Sequence, residues 1–171
     1  MTDADEQLGR PEPIRRFVDL LPSVPALLLD RHLDVLASSP LARAIEPGLT
    51  AGANVVRLGV IAAARDPGAS GSQTDLAGLL RDGVARFQED ERYVAIVGEL
   101  VATSRGFARA WAGNQRPRRS GVLELRNAAV GPLRLEYVRL PLEGTAGETL
   151  VLARPSDAET DRRLRRLDEA T

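Results

Sequence analysis

The chain opens on ten polar and acidic residues with no hydrophobic period, which predict a disordered tail over residues 1–10. Behind Pro11 and Pro13, Ile14, Phe17, Val18 and Leu21 recur at helical spacing and predict a short amphipathic helix, stopped by Pro22 and Pro25. Ala26 to Asp30 and Leu33 to Ala37 read as the two strands of a hairpin whose tip is Asp30-Arg31-His32. Ser39 is placed to cap a helical turn through Leu41, Ala42 and Ile45, which Glu46-Pro47-Gly48 ends. Asn54 to Ala64 predicts a second small helix with Val55, Leu58 and, next along the same face, Ile61 inward. Asp66 to Thr74 combines turn formers with small residues and reads as a loop placed to act as a flap.

Beyond that loop, Leu76, Leu79, Leu80, Val84 and Phe87 form one helix face, and Tyr93, Val94, Ile96, Val97, Leu100 and Val101 form another after the break at Gln88 to Glu91. A third helix from Ser104 sets Phe107 and Trp111 one turn apart on one stripe. At Arg119 the period changes to two. Gly121 to Asn127, Pro132 to Leu142 and Glu148 to Arg154 predict an antiparallel meander, with Leu133, Leu135 and Tyr137 on the buried face of its middle strand. Asp157 to Glu169 is a charged helix whose large apolar residues are Leu164 and Leu167. Two strands, a block of helices and three strands predict an α+β fold, a five-stranded antiparallel sheet with helices covering one face.

Composition narrows the chemistry. A length of 171 residues with 43% apolar suits one domain, expected over residues 11–171. All 23 basic residues are arginine, which excludes a Walker A loop, a Schiff base and the Ser-x-x-Lys arrangement. The absence of cysteine and the single His32 exclude thiolate catalysis, iron–sulfur clusters and zinc sites built from Cys and His; no cofactor or metal is expected. A net charge of −1 supplies no field for phosphate backbones, no run suits a membrane span, and the acidic start is unlike a signal peptide, so a cytoplasmic protein is expected. As an enzyme the chain is poorly equipped. Ser70 lacks the Gly-x-Ser-x-Gly spacing of a nucleophile elbow, His32 sits at a hairpin tip, and Glu89, Asp90 and Glu91 read as a solvated corner with a helix cap.

Three blocks carry a family resemblance. The run from Val24 to Ala42 resembles the opening hairpin of the ligand-binding domain of MmyB-like transcription regulators, a PAS-like sensor domain, with Ser39 where that family has Asn. Asp90 and the run from Gly98 to Trp111 match its helical segment, in which a Leu, a Ser, a Phe and a Trp recur in this order. Arg119 to Gly121, Val130 to Tyr137 and Leu140 resemble its closing strands, with Asn127-Ala128 where His-Pro is common. The resemblance implies a PAS-like fold and a small-molecule effector pocket suited to fatty-acid-like ligands. It also implies an Xre-type helix-turn-helix preceding the domain, so that DNA contact would run only through a segment this chain does not include.

The expected pocket lies between helices and sheet, lined by Leu27, Leu29, Leu58, Val97, Leu100, Phe107, Trp111, Leu133, Leu135, Tyr137 and Leu152. Few aromatics and one histidine argue against haem or stacked flavin and for an aliphatic guest. A carboxylate head would need a cation, for which Arg105, Arg109 and Arg126 adjoin the lining. Taken singly, each lining residue reads more readily as packed core, and each of these arginines as solvated. The rival reading is an interaction module in which the exposed sheet face or the Ile14–Leu21 helix mediates homodimerisation without a small molecule.

Overall fold

A computed structural model describes residues 12–65, 71–87, 89–113 and 118–170. The expected tail over residues 1–10 lies outside them. The first helix, α1 (Glu12–Asp19), leads into the hairpin β1 (Ala26–Leu29) and β2 (Val35–Ser38). Five helices follow: α2 (Pro40–Ile45), α3 (Val55–Arg65), α4 (Gly71–Arg86), α5 (Glu91–Thr103) and α6 (Arg105–Ala112). The chain closes with β3 (Ser120–Asn127), β4 (Gly131–Pro141), β5 (Thr149–Pro155) and α7 (Ala158–Glu169). The strands form one antiparallel sheet in the order β2-β1-β5-β4-β3, so β5 is central. This is the expected α+β, PAS-like architecture.

Register assigns each strand residue to a face. Leu27 pairs with Val151 and Leu29 with Thr149, putting the odd residues of β1 and β5 on the side of α3 to α6. There Leu29, Val35, Val56, Leu80, Tyr93, Ile96, Leu100 and Phe107 are buried together. Toward the far end of the same face, α2 and α7 bury Leu41, Ile45, Leu164 and Leu167 against Leu133 and Leu135. The opposite face is only partly covered. Val18 of α1 is buried there on Ala26, Leu28 and Ala37, with Leu150 and Leu152 beside them.

Local chemistry sets the element ends. The Ser39 hydroxyl accepts from Ala42 N–H (3.2 Å), capping α2, and also accepts from Ala26 N–H (3.0 Å) and donates to the Val24 carbonyl (2.6 Å). Asn127 donates through Nδ2 to the Ala44 and Ile45 carbonyls (3.0 and 2.8 Å), satisfying the end of α2. Its Oδ1 accepts from Ala129 and Val130 N–H and closes the β3–β4 turn. Thus Ser39 and Asn127 are both buried tethers of α2.

Three expectations need correction. Leu33 lies outside the strand: it takes a φ of 68°, in the left-handed region, while Asp30 Oδ1 accepts from His32 and Asp34 N–H (2.8 Å each) and wraps the tip. Residues Gly71 to Thr74 form the first turn of α4, so the loop is shorter than its turn formers imply; residues 66–70 lie outside the described residues. Burial of Ala77 and Leu80 outweighs the weak propensity of that turn. Ile61 faces solvent.

Candidate functional site

The central strand of a five-stranded sheet under a helical layer is normally its best-covered element. Here no residue of β5 is fully buried. On its inner side Val151 is half-buried, as is Leu27 directly across from it on β1. The next residue along this row, on β4, is Arg139, which pairs with Val151. A second inward row runs from Ala153 through Tyr137 to Gly121, where a Cβ would lie within 3.1–3.3 Å of the Tyr137 ring and hydroxyl. The helices thus leave a strip of the inner face incompletely covered, apolar at β1 and β5 and cationic at β4.

Roof and floor differ in solidity. Phe107 is fully buried and stacks on Trp111 at 6.2 Å, the rings 19° apart. Trp111 itself is half-buried at the margin of this core, with the Arg81 guanidinium over its ring at 4.8 Å and also bonded to its carbonyl. Tyr137 donates its hydroxyl to Asp75 Oδ2 on α4 (3.3 Å). Burial, reinforced by the Asp75 charge, pushes the Tyr137 phenol above its ordinary value and keeps it protonated. For Arg139 burial is the largest influence and lowers the guanidinium from its usual value, against the opposing charges of Asp82 and Asp75.

Of the expected lining, Leu27, Leu29, Val97, Leu100, Phe107 and Trp111 come together in this layer. Leu29, Leu100 and Phe107 are solid core, whereas Leu27, Val97 and Trp111 keep surface free. Leu133 and Leu135 are buried under α2 and α7 instead. Leu58 packs against Gly48, away from the Phe107 cluster. Leu152 is corrected: it pairs with Ala26 and faces the α1 side, because one residue of register reverses the face. Arg105 and Arg109 are exposed on α6, and exposed Arg126 borders a different cleft of about 400 Å³ between the β3–β4 end and the start of α7. Sequence reasoning missed Val151 and Arg139. Continuing the alternation Leu133, Leu135, Tyr137 by one step reaches Arg139, a charge at an inward position.

A second polar assembly pins the hairpin tip to the helices. His32, 7% exposed, donates from Nε2 to Asp90 Oδ2 (2.8 Å), while Nδ1 lies 3.5 Å from Asp30 Oδ2. Arg31 reaches the same Asp90 oxygen at 3.0 Å, and Asp90 caps α5 by accepting from Arg92 N–H (3.1 Å). The expected cap is present and Glu89 and Glu91 are solvated as expected, but Asp90 is not, its side chain being 15% exposed. Tyr93 packs on the His32 ring at 4.8 Å and donates to the Arg31 carbonyl; burial pushes its phenol up to about 12. That ring fits because residue 83 is glycine, where a Cβ would lie 2.5 Å from it.

Desolvation raises Asp90, but the hydrogen bonds from His32 and Arg92 N–H and the His32 and Arg31 charges together hold it below its ordinary 3.8. Stability linked to this carboxylate is therefore fully present above that value and is lost as the pH falls through the depressed one. Asp90→Asn is expected to flatten the acid limb of a Tm-against-pH profile between pH 5 and 2, relative to the unaltered chain; an unchanged slope would place the acid sensitivity elsewhere.

No group of three or more His, Asp or Glu among the described residues is arranged to hold a metal ion. No helix among them is long and apolar enough to cross a membrane. The sequence matches the MmyB-like transcription regulator ligand binding domain over residues 11–167. The chain belongs to that family. Among curated proteins, none matches the sequence. As an MmyB-like ligand-binding domain the chain is a ligand-sensing regulator domain, and the family implies a small-molecule ligand and a separate DNA-binding domain. It is a regulatory family and not a known enzyme family.

Proposed function

We propose that this MmyB-like domain senses a small lipophilic molecule of the fatty-acid class, bound on the inner face of the sheet beneath α4 to α6. The observation that carries this reading is the incomplete cover of Leu27 and Val151, the central pair of the inner face. Water against that pair is unfavourable, and an aliphatic chain laid along it removes apolar area at ~25 cal/mol per Å². Trp111, half-buried and reachable, supplies a flat wall, while Phe107 and Leu100 form an unyielding base. The domain acts in the cytoplasm as the effector-binding part of a DNA-binding regulator, and the guest biases the packing of helices on sheet by its differential affinity for the two arrangements.

Thermal denaturation with and without medium-chain fatty acids tests this. At a hundredfold excess over Kd a true ligand adds about 2.7 kcal/mol, which raises the midpoint by roughly 5–10 °C in a domain of this size, and the rise grows with concentration. A second reading has its own support: Phe17 on α1 and Leu20 just past its end are 59% and 76% exposed, and Val138 and Leu140 lie uncovered on the outer face beside the α1-covered strip. That pattern favours a homodimer through the outer face, which is compatible with a ligand on the inner one. A flat midpoint across a broad lipophilic panel, with a mass that doubles on concentration, would replace the sensor by the interaction module.

A further inference from the structure

We propose that the outward side of α5 pairs antiparallel with the same side of a second copy of this chain, about a two-fold axis passing beside Gly98. The inference is independent of the lipophilic site, and its surface lies across the sheet from the outer face. Tyr93, Ile96 and Leu100 bury one side of α5. At 100° per residue the side directly opposite is centred on Gly98 and carries Glu91, Val94, Ala95, Val101 and Ala102, all exposed. Val94 and Val101 are 66% and 40% exposed. The charges at the flanks are engaged within the protomer, Glu99 by Arg57 (2.9 Å) and Asp34 by Arg92. Gly98 has no such internal reason. A glycine inside a helix lowers its stability, and at Gly59 and Gly83 packing demands it, since a Cβ would lie 2.3 Å from Leu76 and 2.5 Å from Tyr93. At Gly98 a Cβ would meet nothing within 4 Å, so the close approach that its absence permits is that of a backbone outside the protomer.

The charges identify the approaching helix as another α5. Glu91, the first residue of α5, and Arg105, the first of α6, stand seven positions before and seven after Gly98. Both are exposed, and neither makes an ion pair among the described residues. In an isologous contact residue i meets j and j meets i, so Glu91 of each copy meets Arg105 of the other. The same reversal sets Val94 against Val101 of the second copy along one flank and Ala95 against its Ala102 along the other, with the two helix dipoles opposed. A contact through one 13-residue helix, about 20 Å long, is smaller than a standard interface, so the dimer is weak and concentration-dependent. Two effector domains joined in this way carry the separate DNA-binding domains of the family as a two-fold pair.

Sedimentation equilibrium of the full chain at concentrations up to about 1 mM reads the association. Gly98→Gln is expected to hold or raise the thermal midpoint of the dilute chain, because glutamine is the better helix former and meets no neighbour there, while weakening the dimer roughly tenfold or more. Glu91→Arg and Arg105→Glu are each expected to weaken it on the order of tenfold, since each sets like charges together at both ends, and the double variant to restore it. Misfolding of a single variant cannot produce that recovery. A chain that stays monomeric, a Gly98→Gln dimer as tight as the unaltered one, or a double variant no better than the single ones overturns the pairing. A dimer indifferent to these changes and lost on Val138→Arg is that of the outer face, and overturns it equally.

Discussion

Phe107→Ala is expected to destabilise the domain by about 4 kcal/mol, the largest effect of any single truncation in the helical layer. The ring is fully buried, packed with Leu80, Tyr93, Ile96 and Leu100, and stacked on Trp111 at 6.2 Å. Its deletion removes a large transfer term and leaves a void that the surroundings fill poorly. Above it Trp111 is held by Arg81, and the start of α6 is fixed by Ser104, whose hydroxyl accepts from Phe107 N–H at 3.2 Å. Against a typical total of roughly 5–15 kcal/mol, this loss consumes a large share of the stability. Urea denaturation followed by circular dichroism checks it: the midpoint falls with m unchanged, while Val101→Ala, on the exposed side of α5, stays within about 0.5 kcal/mol. A Phe107→Ala midpoint close to the unaltered one would mean that the layer repacks freely. The same burial decides a functional point: Phe107 has no surface to offer a guest, whereas Trp111 beside it has.

How far the molecule was legible from its sequence depends on which interaction decides each residue. The elements were readable because local period and caps agree: Ser39 before Pro40 and Asp90 before α5 each accept a helix amide, and Asp157, read as the first residue of its helix, caps α7. Alternation in β4 was readable too, and it identified Leu133, Leu135 and Tyr137 as inward. What alternation cannot give is the register between strands distant in sequence. Leu152 was assigned to the inner face although its pairing with Ala26 turns it outward, and its neighbour Val151 faces inward instead. Nor could one face be divided between two helical roofs, α3 to α6 over one end and α2 with α7 over the other. The cation was sought on α6 because Arg105 and Arg109 adjoin Phe107 in sequence, but the stripe that buries Phe107 leaves both exposed. His32 was read as a hairpin-tip residue, which it is, but without its partner. Its partner Asp90 is 58 residues away, and only the packing of α5 against the hairpin makes that polar pair internal.

The same long-range closure gives the second large effect, at Asn54. This side chain is 4% exposed and uses both ends: Nδ2 donates to the His32 carbonyl (2.9 Å) and to Asp34 Oδ1 (2.8 Å), and Oδ1 accepts from Val56 and Arg57 N–H (3.1 and 3.3 Å). It therefore caps α3 and bridges to the hairpin tip, where Asp34 is also held by Arg92. Asn54→Ala is expected to cost about 3 kcal/mol, of which a lost cap accounts for ~1 and the acceptors left without their buried donor for the rest. Asn54→Asp separates the two roles. Aspartate caps a helix as well as asparagine does, so if capping were the whole function this variant would be near neutral. The bridge predicts the opposite, because a carboxylate has no donor for the His32 carbonyl and sets a second negative charge against Asp34. Asn54→Asp should therefore fall at least as far as Asn54→Ala in chemical denaturation at pH 7, and recover part of the loss on acidification. A fully stable Asn54→Asp would reduce Asn54 to a cap and leave the hairpin tip to be held by the other contacts, those of His32, Arg31 and Tyr93 and the Arg92–Asp34 pair.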